Sequence, residues 1–379
     1  MKATAIGFFL ITLFTPYDLL ATTRIVPCNQ EAIQYAIELS QPGDSVIVQA
    51  GICTGPFSPA LAQIDGKTDL VLMSEAGREA THLCTEAGGY FVVQIINSAN
   101  IAIIGFTMKY SGGALISCIF SSNSQGIEII ECTLIDSPAG VGSQGSEMKI
   151  SSCDIYNNFR GISIGRSSFI QVFNNTIHSN YMGITLSADG GDIINATIIS
   201  NRMHGNISAA IHGENSASGA LVISHNLLHD NLDDGIRLSA PMDIVISDNT
   251  IVSNMKAGLN LLAGTALLIR NNIIAMNRYA GIVAHYGTNP IINCNDVWGN
   301  ANFANGNYVG YITDQTGYNG NISVDPFFCN ASAGEYSLAA NSPALLASCG
   351  PMGAFTTPGC SNQTPVEQVT WGAIKALYR

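Results

Sequence analysis

Charge is scarce in this chain. Of 379 residues only 11% are Asp, Glu, Lys or Arg, and acids outnumber bases 27 to 15, for a net charge near −12. Neutralising a phosphate backbone needs a basic stripe, and none is present, so nucleic acid is excluded as a partner. For the same reason a polyanionic ligand needs a local group of cations, or a bound cation, to approach. Aromatic residues make up 8%, and Tyr181, Tyr279 and Tyr286 offer only a sparse version of a sugar-stacking surface. The ten cysteines contain no Cys-x-x-Cys pair, which removes the common zinc and thiol-redox patterns. No apolar run reaches the roughly 18 residues of a membrane span, so no transmembrane helix is expected in the mature chain. The apolar stretch Ala3 to Phe14, behind Met1-Lys2 and ahead of small residues near Ala21, reads as a signal peptide over 1–21. Export implies an extracellular or cell-envelope location, where cysteines can pair. Cys28, Cys53 and Cys84 fall early, Cys118, Cys132 and Cys153 next, Cys294 alone, and Cys329, Cys349 and Cys360 late. They read as end staples plus buried ladder thiols, with the connectivity open.

What the chain has is a repeat. Asn175/Asn180, Asn201/Asn206, Asn226/Asn231, Asn249/Asn254, Asn272/Asn277 and Asn295/Asn300 recur at about 22 to 26 residues, each pair followed by Gly or Ala and a short alternating run. A unit this short cannot bury a core alone and must stack on its neighbours. Runs such as Ile184-Thr185-Leu186, Ile236-Arg237-Leu238 and Leu259-Asn260-Leu261 alternate at period two, which is strand patterning, and no apolar spacing near 3.6 extends through a unit. Ile, Val, Leu and Met interchange while Asn and Gly stay fixed, unlike a leucine-rich repeat. Asn and Gly tolerate left-handed backbone, and Asn can stack in a turn by bonding the next coil. The reading is an all-β, single-stranded right-handed parallel β-helix, a solenoid of roughly eleven coils. Residues 29–40, with Ile33, Ala36 and Ile37 on one face, form a short N-terminal capping helix over otherwise unpaired strand edges. The expected organisation is a β-helix domain over 22–360, with a C-terminal cap over 301–360 and a tail over 361–379 that carries Trp371, Ile374, Leu377 and Tyr378.

The segments EAIQYAIELSQPGDSVIVQAGICTG and NSANIAIIGFTMKYSGG, the Asn/Gly coils and the ending SVDPFFCNASAGEYSLAANSPALLASCGPMGA resemble secreted bacterial right-handed β-helix repeat proteins of the pectin-lyase-like superfamily. That resemblance implies the fold but no single chemistry, since the superfamily spans lyases, hydrolases, epimerases and adhesins. The family motifs do not transfer. Of the polygalacturonase set only Asp233-Asp234 matches. The epimerase Asp-Pro-His has only Asp325-Pro326-Phe327 as a counterpart, and the pectate lyase Arg-x-Pro-x-x-Arg segment is missing.

The resemblance also suggests which strand lines a groove, the Gly-Ile-x-Leu strand after the second Asn. Its outward column reads Ser163, Thr185, His212, Arg237, Asn260, Val283, and the next one Gly165, Ser187, Glu214, Ser239, Leu262, His285. Neighbouring rungs then bring together His212, Glu214 and Arg237, with Asp233 and Asp234 entering from the preceding turn. These are the ingredients of proton transfer: a base, a cation for a substrate acid group, and carboxylates. Thr185, Asn260, Lys256 and Tyr181 are the expected substrate contacts, with Lys256, Tyr181 and Tyr279 in equivalent turns. The same residues are also what an ordinary solvated strand face carries, with surface ion pairs of little energetic weight. The expected partner is a polysaccharide or cell-surface glycan, bound or acted on in a lyase- or hydrolase-like way, with a non-catalytic surface, matrix or adhesin role as the alternative. His178, His204 and His229 form a column that reads as stacked, exposed turn residues, so no metal site is assigned. Calcium at Asp189-Gly190-Gly191-Asp192 is the one cofactor suggested, and a polar turn explains that segment more simply.

Overall fold

The computed structural model describes residues 21–55, 60–85, 89–110, 116–166, 168–187, 193–214, 218–239, 242–263, 266–300 and 306–363. The expected signal peptide, nearly all of the tail beyond 360, and Asp189 to Asp192 lie outside the described residues.

Among the described residues there is one α-helix, Gln30–Leu39, which follows the strand Thr23–Val26 at the start of the fold. Asn29 caps it by accepting from the Ala32 N–H at 2.9 Å, and Ile33, Ala36 and Ile37 are buried at the i, i+3, i+4 spacing of one helix face. The helix covers the strand Ala60–Asp65 and replaces a missing strand neighbour with a side-chain amide. Gln34 accepts from the Gln63 N–H at 2.8 Å and donates to the Gln63 carbonyl at 3.2 Å. This satisfies backbone groups that an uncapped edge would leave open.

Behind the cap the chain winds through three parallel sheets. The first has twelve strands, from Thr23–Val26 to Ile291–Asn293. The second has eleven, from Ala60–Asp65 to Tyr308–Gly310, and the third eleven, from Gly51–Cys53 to Asp296–Trp298. Each strand pairs with its counterpart one coil away, as in Asp243↔Ala266 and Leu268↔Ile291. The period departs furthest from expectation where Leu70 pairs with Ile101, a 31-residue coil, and otherwise strays by one residue, to 21 at Ile127↔Met148 and 27 at Ile184↔Ile211. Alternate side chains fill a continuous core from Val46 and Val48 to Ile292 and Val297.

Two asparagine ladders hold the corners. Asn226 is typical and fully buried. Its Oδ1 accepts from the Asn201 N–H at 2.9 Å, and its Nδ2 donates to Ser224 and Ile198 carbonyls at 2.9 and 2.8 Å and faces Asn249 Oδ1 at 3.0 Å. The second ladder, Asn158 to Asn300, repeats the pattern. The left-handed backbone attributed to these Asn sits one residue earlier: Asn174, Ser200, His225, Asp248, Asn271 and Cys294 have φ between +53 and +58°. Asn is therefore fixed for its amide, because only a group that both donates and accepts satisfies two coils at once. Upstream, Cys153 and Cys132 take the same slots, with Cys153 Sγ accepting from the Cys132 N–H at 3.4 Å. A third corner carries a serine ladder: the Ser98 N–H donates to Ser124 Oγ, and the Ser124 N–H to Ser146 Oγ.

The C-terminal segment does not simply close the end of the solenoid. Strands Phe328–Asn330, Glu335–Ala339 and Pro358–Cys360 form a small sheet that lies as a flap along the third sheet, burying Tyr336, Leu338, Ala344 and Met352 against Leu227, Val252, Ile273 and Ala275. The reason is local polarity. The outward column that reads Tyr156, His178, His204, His229 turns apolar at Val252 and Ala275, and such a surface is stabilised by cover. The expected exposure of the histidines fails for His229, which is 4% exposed beneath Tyr336. Cys28–Cys53 staples the start, while Cys294–Cys349 and Cys329–Cys360 fasten the flap. Cys118, Cys132 and Cys153 are buried free thiols and Cys84 is partly exposed.

Candidate functional site

Strand register on the second sheet places Ser163, Thr185, His212, Arg237, Asn260 and Val283 on consecutive rungs. Backbone N–H bonds of 2.7 to 3.0 Å to the preceding coil carry the neighbouring column through Ser187, Glu214, Ser239, Leu262 and His285. Rungs about 4.8 Å apart set the spacing of these side chains.

His212 is half-buried, and burial lowers its pKa. The Arg237 charge acts in the same direction, while Glu214, Asp233 and Asp234 oppose it. The imidazole is therefore a neutral base at neutral pH, and its Nδ1 is buried without a hydrogen-bond partner. Glu214 accepts from Ser187 Oγ at 2.5 Å. Asp233 accepts from Lys256 Nζ at 2.8 Å and from the Asp234 N–H at 2.9 Å, and its other oxygen lies 3.9 Å from an Arg237 nitrogen.

Asp234 does not stand at a rim. It is 1% exposed, and its two oxygens accept from the Ala257 N–H at 2.9 Å and Asn260 Nδ2 at 2.8 Å. Burial raises its pKa despite those bonds. Its place is structural, bracing the next coil. The other oxygen-bearing end of Asn260, Oδ1, is buried without a partner. Thr185 is fully buried and its hydroxyl points to Met182 Sδ at 3.6 Å, so it offers nothing outward. Tyr181 is not equivalent to Lys256 and Tyr279. Each of the residues Phe159, Tyr181, Ile207, Leu232 and Met255 directly follows a ladder Asn, whereas Lys256 aligns with Asp233 and Tyr279 one residue further on.

The column reading did not include a cleft of about 450 Å³ on the same sheet, lined by Phe120, Gly142, Arg160, Ser163, Arg166 and Ser187 among others. Following the Asp233 column upstream through Met182 leads to Arg160, so register alone would have found it. Among the described residues no group of three His, Cys, Asp or Glu side chains is placed to hold a metal. The His178, His204 and His229 rings stack face to face at 5.0 Å, which turns their lone pairs away from any common point.

Residues 84–202, 117–268 and 209–325 match the family described as right handed beta helix region. None of the curated proteins compared matches the chain in sequence. Among solved structures, pectate lyase Pel9A is 12% identical with a TM-score of 0.54, covering 88% of this chain and 96% of that one. The Dettilon tailspike protein (gp208) is 15% identical with a TM-score of 0.54, covering 77% and 60%. PfbA, a surface adhesin of Streptococcus pneumoniae, is 14% identical at 0.49, covering 75% and 87%. At such identities the likeness is one of fold.

Proposed function

The chain belongs to the right-handed β-helix family, and from that premise we propose that its second-sheet groove binds an extended polysaccharide and transfers a proton on it at His212. The observation that carries this reading is the pair of buried, unpartnered polar atoms, His212 Nδ1 and Asn260 Oδ1, two rungs apart in one outward column with Arg237 between them. Buried polar groups normally find partners, and a site built to hydrogen-bond a ligand is where such vacancies belong. A pectate lyase among the structures of like fold supports the class of ligand. Three disulfides suit an oxidising compartment and so an extracellular or envelope location.

In this reading Arg237 neutralises an acid group on the sugar, the neutral His212 takes the proton from the carbon next to it, and the electron pair left there forms a double bond and expels the linking oxygen; Glu214 stabilises the imidazolium, which returns its proton to the departing oxygen. Hydrolysis by paired carboxylates is the weaker alternative, because Asp233 is engaged by Lys256 and Asp234 by the next coil. The test is a glycan panel followed by unsaturated-uronate absorbance and by reducing ends. His212→Ala should lower turnover by about 10² to 10⁴-fold, and Arg237→Ala should remove activity on acidic substrates. Full activity in His212→Ala would move the chemistry elsewhere. Binding without turnover on every substrate would leave an adhesin-type role for the same groove.

A further inference from the structure

On the first sheet the outward side chains form one apolar stripe. Ile25, Ile47, Met73, Ile104 and Ile130 stand on five consecutive rungs. After Ser151 the column continues through Phe173 and Ile199. From there the neighbouring column, two residues back along the strand, takes over with Val222, Val245, Leu268 and Ile291. Across the twelve strands only Ser151 interrupts the stripe. Ile25 and Ile291, at its two ends, are 58% and 60% exposed, and the apolar residues between them are part-exposed. Inward side chains of the same strands fill the core, so nothing inside the coil can bury the outward ones. Where the third sheet turns apolar, at Val252 and Ala275, the flap covers it, and among the described residues that buried cluster includes none of the stripe. Charge beside the stripe is nearly balanced. Glu128 pairs with Lys149 at 3.3 Å, and the other charged residues of these strands, Asp69, Glu147, Asp243, Arg24 and Arg270, mix both signs in a chain of net charge near −12.

We propose that a second copy of the chain docks on this face, first sheet against first sheet, about a two-fold axis. Rungs about 4.8 Å apart make the stripe about 53 Å long, and two outward columns about 7 Å apart, with the reach of their side chains, make it about 15 Å wide. The product is about 800 Å² per copy, the size of a standard stable interface and more than the apolar patch an ordinary monomer leaves open. The pitch selects the occupant. Ridges that repeat about every 4.8 Å interdigitate best with ridges of the same repeat, and two sheets pack face to face about 10 Å apart. A single stripe is also self-complementary, because a two-fold axis along it or across it lays apolar on apolar. The near-balance of charge on this face lets two acidic chains approach. The second sheet with its groove and the third with its flap are the other faces of the solenoid, so both stay open in such a dimer. The inference is therefore independent of what the groove binds.

Sedimentation equilibrium of the full chain should show twice the chain mass, with dissociation on dilution and a melting temperature that rises with concentration. Ile104→Lys/Ile130→Lys sets like charges opposite one another across the two-fold interface and should weaken dimerisation about 100-fold or more. Ile104→Thr/Ile130→Thr, which keeps the β-branched shape that strands favour, should weaken it about tenfold, and this variant decides the question if the lysine variant fails to fold. Ile52→Lys/Leu346→Lys, at apolar residues 67% and 72% exposed away from this face, should dimerise as the wild type does. A monomer at every concentration, a mass of three chains, or wild-type affinity in both the lysine and the threonine variants at an unchanged melting temperature overturns the inference. A monomeric wild type that dimerises once 364–379 are removed also overturns it, and gives the face to that segment instead.

Discussion

At the scale of single residues the corners rest on amide chemistry. Removing the Asn226 side chain takes the acceptor from the Asn201 N–H and a donor from the Ile198 and Ser224 carbonyls in a dry interior, and the Ser224 carbonyl keeps only the Ser200 N–H at 3.1 Å. Each lost partner costs about 1–3 kcal/mol before any relaxation. Asn226→Ala should therefore destabilise by roughly 2–4 kcal/mol in denaturant titration. Asn174→Gly, at a left-handed position, should stay within about 0.5 kcal/mol of wild type. Equal costs would mean that backbone conformation, not the amide, fixes Asn in the repeat. The ladder Asn were legible because their period is strict. Their left-handed neighbours were not, since His225, Asp248 and Met276 serve there equally. The serine ladder escaped notice because Ser98, Ser124, Ser146 and Ser168 share the period, yet Ser is ordinary in turns.

At the scale of elements the third sheet carries two groups with opposite responses to pH. His204, between His178 and His229, has its pKa lowered from 6.5 to about 4, chiefly by burial. The unfolded chain takes up that proton first, so stability is full above about pH 6.5 and falls as the pH drops towards 4. Asp296 has its carboxyl pushed up to about 7 by burial, with Oδ2 unpartnered. Here the unfolded chain loses the proton first, and stability falls as the pH rises from about 3.8 to 7. His204→Phe, which keeps the stack, should flatten the acid limb, and Asp296→Asn should raise stability above pH 7. Denaturation midpoints from pH 4 to 8 check both, and unchanged slopes would deny these residues the role. The outward columns of the second sheet were legible because ladders fix register and alternation fixes the face. The sequestering of Asp234 was not, because it depends on what the next coil supplies, and that of Thr185 was not, because its hydroxyl turns to Met182 in its own strand. The flap was hidden for a related reason: it makes contacts such as Ala354 to Thr250 across 104 residues, which no local pattern announces.

At the scale of the whole molecule each coil touches chiefly its neighbours, so opening should start at the ends. Cys294–Cys349 spans 55 residues and, on chain entropy, contributes about 4 kcal/mol. Under reducing agent, residues 328–360 should become accessible to protease and to hydrogen exchange while the coils from 170 to 290 stay protected. Uniform loss of protection would show a single cooperative unit instead. The strands lie across the long axis and their ladder bonds run along it, so traction on the two ends would load those bonds directly and peel the rod coil by coil. A 23-residue coil would release on the order of 75 Å of slack. Cys28–Cys53 and Cys294–Cys349 lock the two coils where peeling would begin, so under tension an intact rod holds length that its reduced form surrenders from the tips inward.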